Sequence, residues 1–365
     1  MSFNNSLTYF DNSKHIEKLK KVTCSAPFNS FHIYPDGNVA NCCFYWMPTF
    51  LGNITKKTLR EILADKLSME AKLSVTNGSY SFCNTEICPS LVDHLSSGRI
   101  PIPLLPIEQA STINQKQIIL FLDFDLSCNL YCGSCRNERI LHTLEDAPAD
   151  IKLIHQRLMT EVSELLKDGY EITLQVTSSG DPFASPFYWQ FLQNIKEHEK
   201  FKVRLTTNGT LMTRARFELP YSQKIDHIEV SVDAFTEATY KKVRRGGNFQ
   251  ALLQNLKNLD EMTANGELKN LRAWKVNFVV QKDNFREIPQ FIHWALQFKK
   301  LTNIWLLLIY DWGHLKKDEF NEKAVWHKNH PDYKEFLEVL KDPILDHPYV
   351  ILGNLTSLRK EALGN

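Results

Sequence analysis

The amino-acid sequence predicts an α/β protein in which a partial (β/α)6 TIM-like barrel follows a small, cysteine-rich α+β module. Three observations predict this organisation. Strand-like and helix-like segments alternate after residue 117, all eight cysteines lie within the first 135 residues, and a proline-rich segment separates the two regions. The expected boundaries are 1–95 for the module, 96–117 for a linker, 118–314 for the barrel and 315–365 for a helical extension.

The alternation predicts six strands joined by helices. The strand segments are rich in β-branched and aromatic residues, and they comprise 118–124, 172–178, 202–207, 227–233, 275–281 and 303–310. The longest helical pattern, 151–169, ends at Gly169, a residue type common at helix C-termini. Strands separated by helices run parallel, in either a doubly wound sheet or a barrel. Six units are fewer than the eight of a complete barrel, which indicates a partial one.

The boundary between the two regions lies at 96–115, where prolines occur at positions 101, 103 and 106. Each proline removes a backbone N–H group and resists helix formation. This segment is therefore predicted to be a linker.

Composition and charge restrict the class of protein. The 43 basic and 42 acidic residues give a net charge of +1, so nothing points to nucleic acid as a partner. The N-terminus shows no charged segment followed by an apolar stretch, as a signal peptide would. The longest uninterrupted apolar run, 304–310, is too short to span a bilayer. We expect a cytoplasmic protein that does not insert into membranes.

The eight cysteines are clustered rather than scattered. A disulfide framework requires an oxidising compartment, and the sequence shows no export signal. Clustered thiols in a cytosolic protein are more often metal ligands. The sequence therefore predicts metal binding by both groups of cysteines.

Polar and glycine-rich motifs follow the predicted strands. In order along the chain they are CNLYCGSC (128–135), SGDP (179–182), NGT (208–210), SVD (231–233), QKDN (281–284) and DWGH (311–314). The C-terminal ends of parallel strands form the edge where α/β folds build their active sites. Six such motifs at one edge predict a functional site there.

Three of the thiols, Cys128, Cys132 and Cys135, follow the first predicted strand. Thiolates are soft ligands that suit zinc or an iron–sulfur cluster. Structural zinc requires a fourth protein ligand, for which His142 is a candidate. The alternative is a 4Fe–4S cluster with three protein thiolates and one open iron, and the position of the loop at the reactive edge favours it.

The spacing Cys-x3-Cys-x2-Cys after the first strand of a parallel α/β unit resembles the radical S-adenosylmethionine (radical SAM) enzymes. The resemblance covers roughly 118–311 and includes SGDP, which is similar to the Gly-Gly-Glu-Pro motif of that family, and TTNGT. It implies that Cys128, Cys132 and Cys135 bind a catalytic 4Fe–4S cluster. It also implies S-adenosylmethionine (SAM) contacts from the strand ends, which we predict at Ser179, Gly180, Asp181, Asn208, Ser231 and Asp233. The sequence departs from the family pattern at Ser134, Ser179 and Asp181.

The resemblance implies a reaction type. The cluster passes an electron to SAM, which is cleaved to methionine and a 5′-deoxyadenosyl radical, and this radical abstracts a hydrogen atom from the substrate. Iron–sulfur potentials reach about −700 mV, which is reducing enough for the first step. A one-electron donor such as flavodoxin or ferredoxin is the expected partner.

The N-terminal module contains a second set of thiols, and YPDGN within it predicts a β-hairpin. The spacing of Cys24, Gly37 and Cys42 resembles the twitch or SPASM modules of radical SAM enzymes, although here the module precedes the barrel. The resemblance implies an auxiliary 4Fe–4S cluster bound by Cys24, Cys42, Cys83 and Cys88. Cys42 is preferred to the adjacent Cys43 on spacing, and a structural zinc hairpin is the alternative.

The sequence leaves the substrate open. Only some twenty residues precede Cys24, too few for a winged-helix domain that reads a leader peptide, which favours a small molecule such as a sugar or nucleotide sugar. A peptide-modifying enzyme is the alternative, and a zinc-stabilised binding protein without catalysis is the contrasting class. The basic segment 241–247 could bind a phosphate or the cofactor carboxylate, but a solvated helix end is the favoured interpretation.

Overall fold

The computed structural model of the chain describes residues 7–176, 179–194, 199–311 and 313–364. Two residues of the second predicted strand, 177 and 178, lie outside the described residues, as does position 312 of the DWGH motif.

Six parallel strands form the centre of the described structure, as the sequence predicts. They are β6 (Gln117–Leu122), β7 (Glu171–Val176), β8 (Phe201–Thr207), β9 (Ile225–Ser231), β10 (Ala273–Val280) and β11 (Asn303–Leu308). They are hydrogen-bonded in sequence order, each to the next. A doubly wound sheet would reverse direction at a switch point, so this order confirms the partial barrel.

Alternation along each strand decides which side chains face the helices. In β6, Ile118, Leu120 and Leu122 are buried in the main core with Ile154 and Leu158 of the following helix. The intervening residues of the strands are only half-buried and include many polar side chains. Because successive side chains of a strand point to opposite faces, these polar residues line the concave face of the barrel.

Helices cover the outside of the barrel and build the flanking regions. In chain order they are α1 (Ile16–Leu19), α2 (Ala26–Asn29), α3 (Leu59–Ala64), α4 (Lys66–Thr76), α5 (Pro89–Ser97), α6 (Ala149–Lys167), α7 (Pro186–Gln193), α8 (Glu237–Val243), α9 (Phe249–Ala264), α10 (Ile288–Ala295), α11 (Lys317–Lys323), α12 (Tyr333–Val339) and α13 (Thr356–Leu363). The predicted helix 151–169 corresponds to α6, and Gly169 follows its end with a φ of 83°.

The N-terminal region extends the barrel sheet. The predicted hairpin is present as β2 (Ser30–Ile33) and β3 (Asn38–Ala40), and β4 (Gly52–Asn53) pairs with β3. β2 runs parallel to β6, with His32 opposite Phe121. The hairpin that carries Cys42 just after β3 is thus hydrogen-bonded to the first barrel strand.

The predicted linker and extension both contain ordered structure. Within 96–117, β5 (Leu104–Pro106) pairs antiparallel with β1 (Val22–Cys24), so this connection is tied to the module. Within 315–365, the short β12 (Val350–Ile351) adds a further parallel strand beside β11. The domain boundaries themselves stay a prediction.

Candidate cluster and cofactor site

The three-cysteine loop begins directly after β6. The thiols of Cys128 and Cys132 are buried, whereas Cys135 is exposed. The backbone N–H groups of Cys135 and Arg136 both donate to the carbonyl of Cys132, at 2.9 and 3.0 Å, which closes a tight turn around the second and third cysteines. Burial, and then the neighbouring Asp181 carboxylate, raise the pKa of Cys128 to about 12. Metal binding requires thiolates. Binding of a cluster would therefore have to offset the raised pKa of the Cys128 thiol.

The donors in this loop fit a cluster better than a single zinc ion. Among the described residues, no three His, Cys, Asp or Glu side chains form a group that could hold one metal ion. His142, the candidate fourth ligand, instead places Nδ1 2.8 Å from the Asp125 carboxylate. A 4Fe–4S cluster takes its thiolates at separate irons, so its ligands lie further apart than those around one ion.

Asp125 holds the cysteine loop in place through buried hydrogen bonds. The sequence analysis did not identify this residue. Its fully buried carboxylate accepts hydrogen bonds from the backbone N–H and hydroxyl of Ser127, and from the Ser185 hydroxyl at 2.5 Å. Its backbone N–H donates to the Tyr188 hydroxyl at 2.8 Å. The strand end, the loop and the start of α7 are therefore joined at one carboxylate just ahead of Cys128.

The SGDP motif packs against the same loop. The N–H of Asp181 donates to the Ser127 carbonyl at 2.8 Å. Gly180 has a φ of 91°, and a Cβ there would lie 2.7 Å from the Asp125 carbonyl oxygen. Only glycine tolerates this combination of backbone conformation and close approach. Gly180 and Asp181 thus lie beside the cysteine loop, and the half-buried Ser179 precedes them.

The Asp181 carboxylate is buried and occupied by donors of the protein itself. Oδ2 accepts from the Thr207 hydroxyl at 2.8 Å and from the N–H of Asn208 at 2.9 Å, and Oδ1 accepts from the N–H of Phe183 at 3.0 Å. Burial raises the pKa of Asp181, and these hydrogen bonds oppose that effect. The carboxylate thus joins the loops after β7 and β8, and its predicted contact with SAM stays a prediction.

Asn208 approaches the first cysteine. Its side-chain amide lies 3.7 Å from the Cys128 sulfur and donates to Asn129 Oδ1 at 2.9 Å. Its Oδ1 accepts from the N–H of Thr210 at 3.0 Å. The NGT loop is thus in contact with the cysteine loop rather than forming a separate turn.

The two predicted residues after β9 differ in their surroundings. Ser231 ends the strand and is half-buried. Asp233 is fully buried with a φ of 62°, and its Oδ1 accepts from the N–H of Val279 at 2.7 Å. Its Oδ2 lies 2.7 Å from the Arg244 guanidinium. Asp233 is therefore connected to the cysteine loop by Arg244, which also lies 3.6 Å from the Cys132 sulfur.

Arg244 corrects the sequence-based interpretation of its segment. A solvated helix end describes the exposed Lys241 and Lys242 but is wrong for Arg244. The Arg244 side chain is 12% exposed, and its Nη1 lies 3.6 Å from the sulfur of Cys132. The signal that could have shown this is the glycine pair that follows the arginines, Gly246 and Gly247.

The four predicted thiols of the N-terminal module gather together. Burial, and then the thiols of Cys24, Cys88, Cys43 and Cys83, raise the pKa of Cys42 well above its usual value. Burial is again the main cause for Cys43, whose pKa is raised to about 11, but Asp123 acts on it more strongly than Cys88 does. Cys42 thus lies close enough to the other three thiols to feel their charge, and its choice over Cys43 as a ligand stays a prediction.

Polar side chains line the concave face of the barrel. Lys275 lies 2.6 Å from Glu229 and 3.8 Å above the ring of Trp305. On the side nearer the module, His32 lies 3.1 Å from Asp123. The concave face therefore carries paired charges beside an indole ring.

Comparisons with known proteins identify two domains in the chain. The family model of the radical SAM superfamily matches residues 126–295, and the SPASM model, an iron–sulfur cluster-binding domain, matches residues 24–90. The chain therefore belongs to the radical SAM superfamily and carries an N-terminal SPASM module, as its motifs predicted. The predicted cofactors, SAM with a catalytic 4Fe–4S cluster and an auxiliary cluster, are confirmed at the level of these domains.

Curated relatives match part of the chain. "Probable GTP 3',8-cyclase" from Methanococcus maripaludis (strain C5) is 25% identical over 48% of this chain and 54% of the relative. GTP 3',8-cyclase from Lactiplantibacillus plantarum is 25% identical over 62% of this chain and 63% of the relative. The chain thus spans between half and two thirds of the length of these relatives.

Two solved structures show weaker likeness. Streptococcus suis SuiB bound to S-adenosylmethionine is 13% identical, with a TM-score of 0.42 over 93% of this chain and 74% of that one. The tagged protein anSMEcpe with bound AdoMet is 17% identical, with a TM-score of 0.41 over 62% of this chain and 59% of that one. No conclusion rests on these scores. Separately, no helix among the described residues is both long and apolar enough to cross a membrane.

Proposed function

We propose that the chain cleaves SAM reductively at a 4Fe–4S cluster bound by Cys128, Cys132 and Cys135, and abstracts a hydrogen atom from a small polar substrate in the barrel. The observation that carries this proposal is the contact of three strand-end loops: Asn208 and Asp181 approach the cysteine loop at the edge that opens onto the polar concave face. The bound cluster and SAM would supply the 5′-deoxyadenosyl radical.

The residues of the chain position the reactants. Asp125 and Asp181 hold the loops after β6, β7 and β8 in fixed relation, so the SAM groups would meet preorganised donors and acceptors. Ser179, Gly180, Asn208, Ser231 and Asp233 are the further residues proposed to bind SAM. A one-electron donor such as flavodoxin or ferredoxin would supply the electron, and eight free thiols suit a reducing, cytoplasmic setting.

We propose a sugar-like or nucleotide-type substrate. The relatives named GTP 3',8-cyclase carry a nucleotide in their names, and the concave face presents the cation Lys275 beside the Trp305 ring. A phosphate would have to take the place of Glu229 as the partner of Lys275, and a sugar or base would have to displace the ammonium from the Trp305 ring. A peptide substrate is the alternative outcome of the test below.

The first experiment tests the catalytic cluster. In protein purified without oxygen, changing Cys128, Cys132 and Cys135 together to Ala should remove about four irons per chain and abolish reductive SAM cleavage. Iron and sulfide analysis and 5′-deoxyadenosine formation are the measurements. SAM cleavage in the triple variant would show that these thiols are not the ligands.

The second experiment assigns the auxiliary ligands. The triple variant should keep about four irons, bound by Cys24, Cys42, Cys83 and Cys88. Adding Cys42→Ala should remove most of the remainder, whereas adding Cys43→Ala should not, because Cys42 lies among the other three thiols. The reverse pattern would transfer the role to Cys43, and zinc in place of iron would restore the structural-hairpin alternative.

The third experiment tests the substrate class. Formation of 5′-deoxyadenosine is compared with GTP, a UDP-sugar and an unstructured peptide as additions. Stimulation by a nucleotide that is lost in Lys275→Met, but kept in the exposed control Lys257→Met, would support a nucleotide-type substrate. Stimulation by the peptide alone would favour the peptide-modifying alternative.

A further inference from the structure

The Arg244 guanidinium is inserted between an acidic residue and a cluster ligand. Its Nη2 lies 2.7 Å from Asp233 Oδ2 and its Nη1 lies 3.6 Å from Cys132 Sγ. The guanidinium stays charged at any physiological pH, so this group places a permanent positive charge beside the thiolate that Cys132 would contribute. Its Nε is buried without a hydrogen-bond partner among the described residues.

The residues that follow Arg244 hold its segment against the cysteine loop and against α8. The N–H of Tyr131 donates to the Arg245 carbonyl, and Arg245 Nε donates to the Tyr131 carbonyl, both at 3.0 Å. A Cβ at Gly247 would lie 2.7 Å from the Tyr240 hydroxyl, so the segment packs against its own helix at full contact. The segment 244–247 is thereby held against the cysteine loop by contacts outside α8.

A charge at this position has a defined electrostatic effect. Reduction adds negative charge to a cluster, and hydrogen bonds and positive charges at its sulfurs stabilise the reduced state. The effect is larger in a buried site, where screening by water is weak. Asp233 offsets part of the charge, but the guanidinium is the group in contact with the Cys132 sulfur, at 3.6 Å.

We propose that Arg244 is a positioning residue that also tunes the catalytic cluster: it holds Cys132 in place and makes the cluster easier to reduce, while Asp233 orients the guanidinium and limits this effect. The proposal rests on the proposed function, because it concerns the cluster bound by Cys128, Cys132 and Cys135. SAM cleavage depends on reduction of the catalytic cluster. Arg244 would therefore help to set how strongly reducing the one-electron donor has to be.

The test is a redox titration followed by electron paramagnetic resonance in cluster-loaded protein. The catalytic signal is identified as the one that is absent from the variant lacking Cys128, Cys132 and Cys135. Arg244→Gln should lower the equilibrium constant for one-electron reduction about tenfold, which corresponds to about 59 mV. Arg244→Lys should retain most of the wild-type value, because it keeps the charge.

Two further variants separate tuning from simple stability. Lys241→Gln removes an exposed charge that pairs with Glu237 at 2.8 Å on the same helix, and it should leave the potential unchanged. Asp233→Asn leaves the arginine unopposed and should shift the potential in the less negative direction, opposite to Arg244→Gln. This variant decides the matter if Arg244→Gln fails to retain its iron.

Three outcomes would overturn the proposal. They are an unchanged potential in a fully loaded Arg244→Gln variant, a shift equal to that of Lys241→Gln, or a shift toward more negative potential in Asp233→Asn. Failure of the proposed function is distinguishable, because then the wild-type protein would show no signal that depends on Cys128, Cys132 and Cys135.

Discussion

Replacing Asp181 tests how the strand-end loops are held together. The carboxylate accepts three hydrogen bonds, from the Thr207 hydroxyl and from the N–H groups of Asn208 and Phe183. Asp181→Ala leaves all three donors without a partner in a fully buried site. Asp181→Asn keeps the shape of the side chain but replaces one accepting oxygen with a donating NH2 group. This group would face either the N–H of Phe183 or the donors of Thr207 and Asn208.

The magnitude follows from these contacts. An unsatisfied buried donor costs about 1–3 kcal/mol, so three donors cost roughly 3 kcal/mol or more. Removing the buried charge gives some of this back, because burial raises the pKa of Asp181 and so disfavours the ionised form. At about 2 °C per kcal/mol for a long chain, Asp181→Ala should lower the unfolding temperature by roughly 4–6 °C. Asp181→Asn should lower it by about half as much.

The assay pairs a global and a local measurement. Thermal unfolding followed by circular dichroism reports stability, and amide hydrogen exchange reports whether the N–H groups of Asn208 and Phe183 lose protection. SAM affinity is measured by equilibrium dialysis on cluster-loaded protein. A direct contact with the SAM ammonium, worth about 1.5–3 kcal/mol, would weaken binding tenfold or more. Tenfold weaker binding with unchanged stability and unchanged exchange would refute the argument that Asp181 primarily joins the loops.

Three other predictions concern single contacts. Gly180→Ala should reduce SAM affinity and iron retention, because its Cβ would lie 2.7 Å from the Asp125 carbonyl oxygen; equilibrium dialysis and iron analysis matching the wild type would contradict this. Burial lowers the pKa of His155, so the unfolded chain takes up the proton more readily and stability falls as the pH drops below about 6.5. His155→Gln should reduce this loss between about pH 7 and 5.5, measured by unfolding temperature. The buried side-chain amide of Asn255 donates at 2.8 and 3.1 Å to two carbonyls of the loop containing Asn208. Asn255→Ala should therefore lower the free energy of unfolding by about 2–3 kcal/mol, measured by chemical denaturation. A decrease of less than about 0.5 kcal/mol would contradict this role.

The barrel was predictable because its signals are local. Each of the six strands is a run of β-branched and aromatic residues bounded by helical patterns, and the observed strands overlap all six predicted segments. The hairpin before Cys42 was equally visible, since a turn sequence of proline, aspartate and glycine lies between two apolar runs, and Gly37 adopts a φ of 79°. Thiol spacing is also local, because one loop contains Cys128, Cys132 and Cys135.

The sequence by itself thus determined the family, the partial barrel and the clustering of the thiols. Only the tertiary structure decided what surrounds those thiols. Arg244 and Cys132 are 112 positions apart, and Asp125 meets Ser185 across 60 positions. A helix end rich in lysine and arginine looks the same in sequence whether one of its arginines meets water or a sulfur. The choice depends on which distant loop fills the space beside it, and no local pattern of charge or hydrophobicity encodes that.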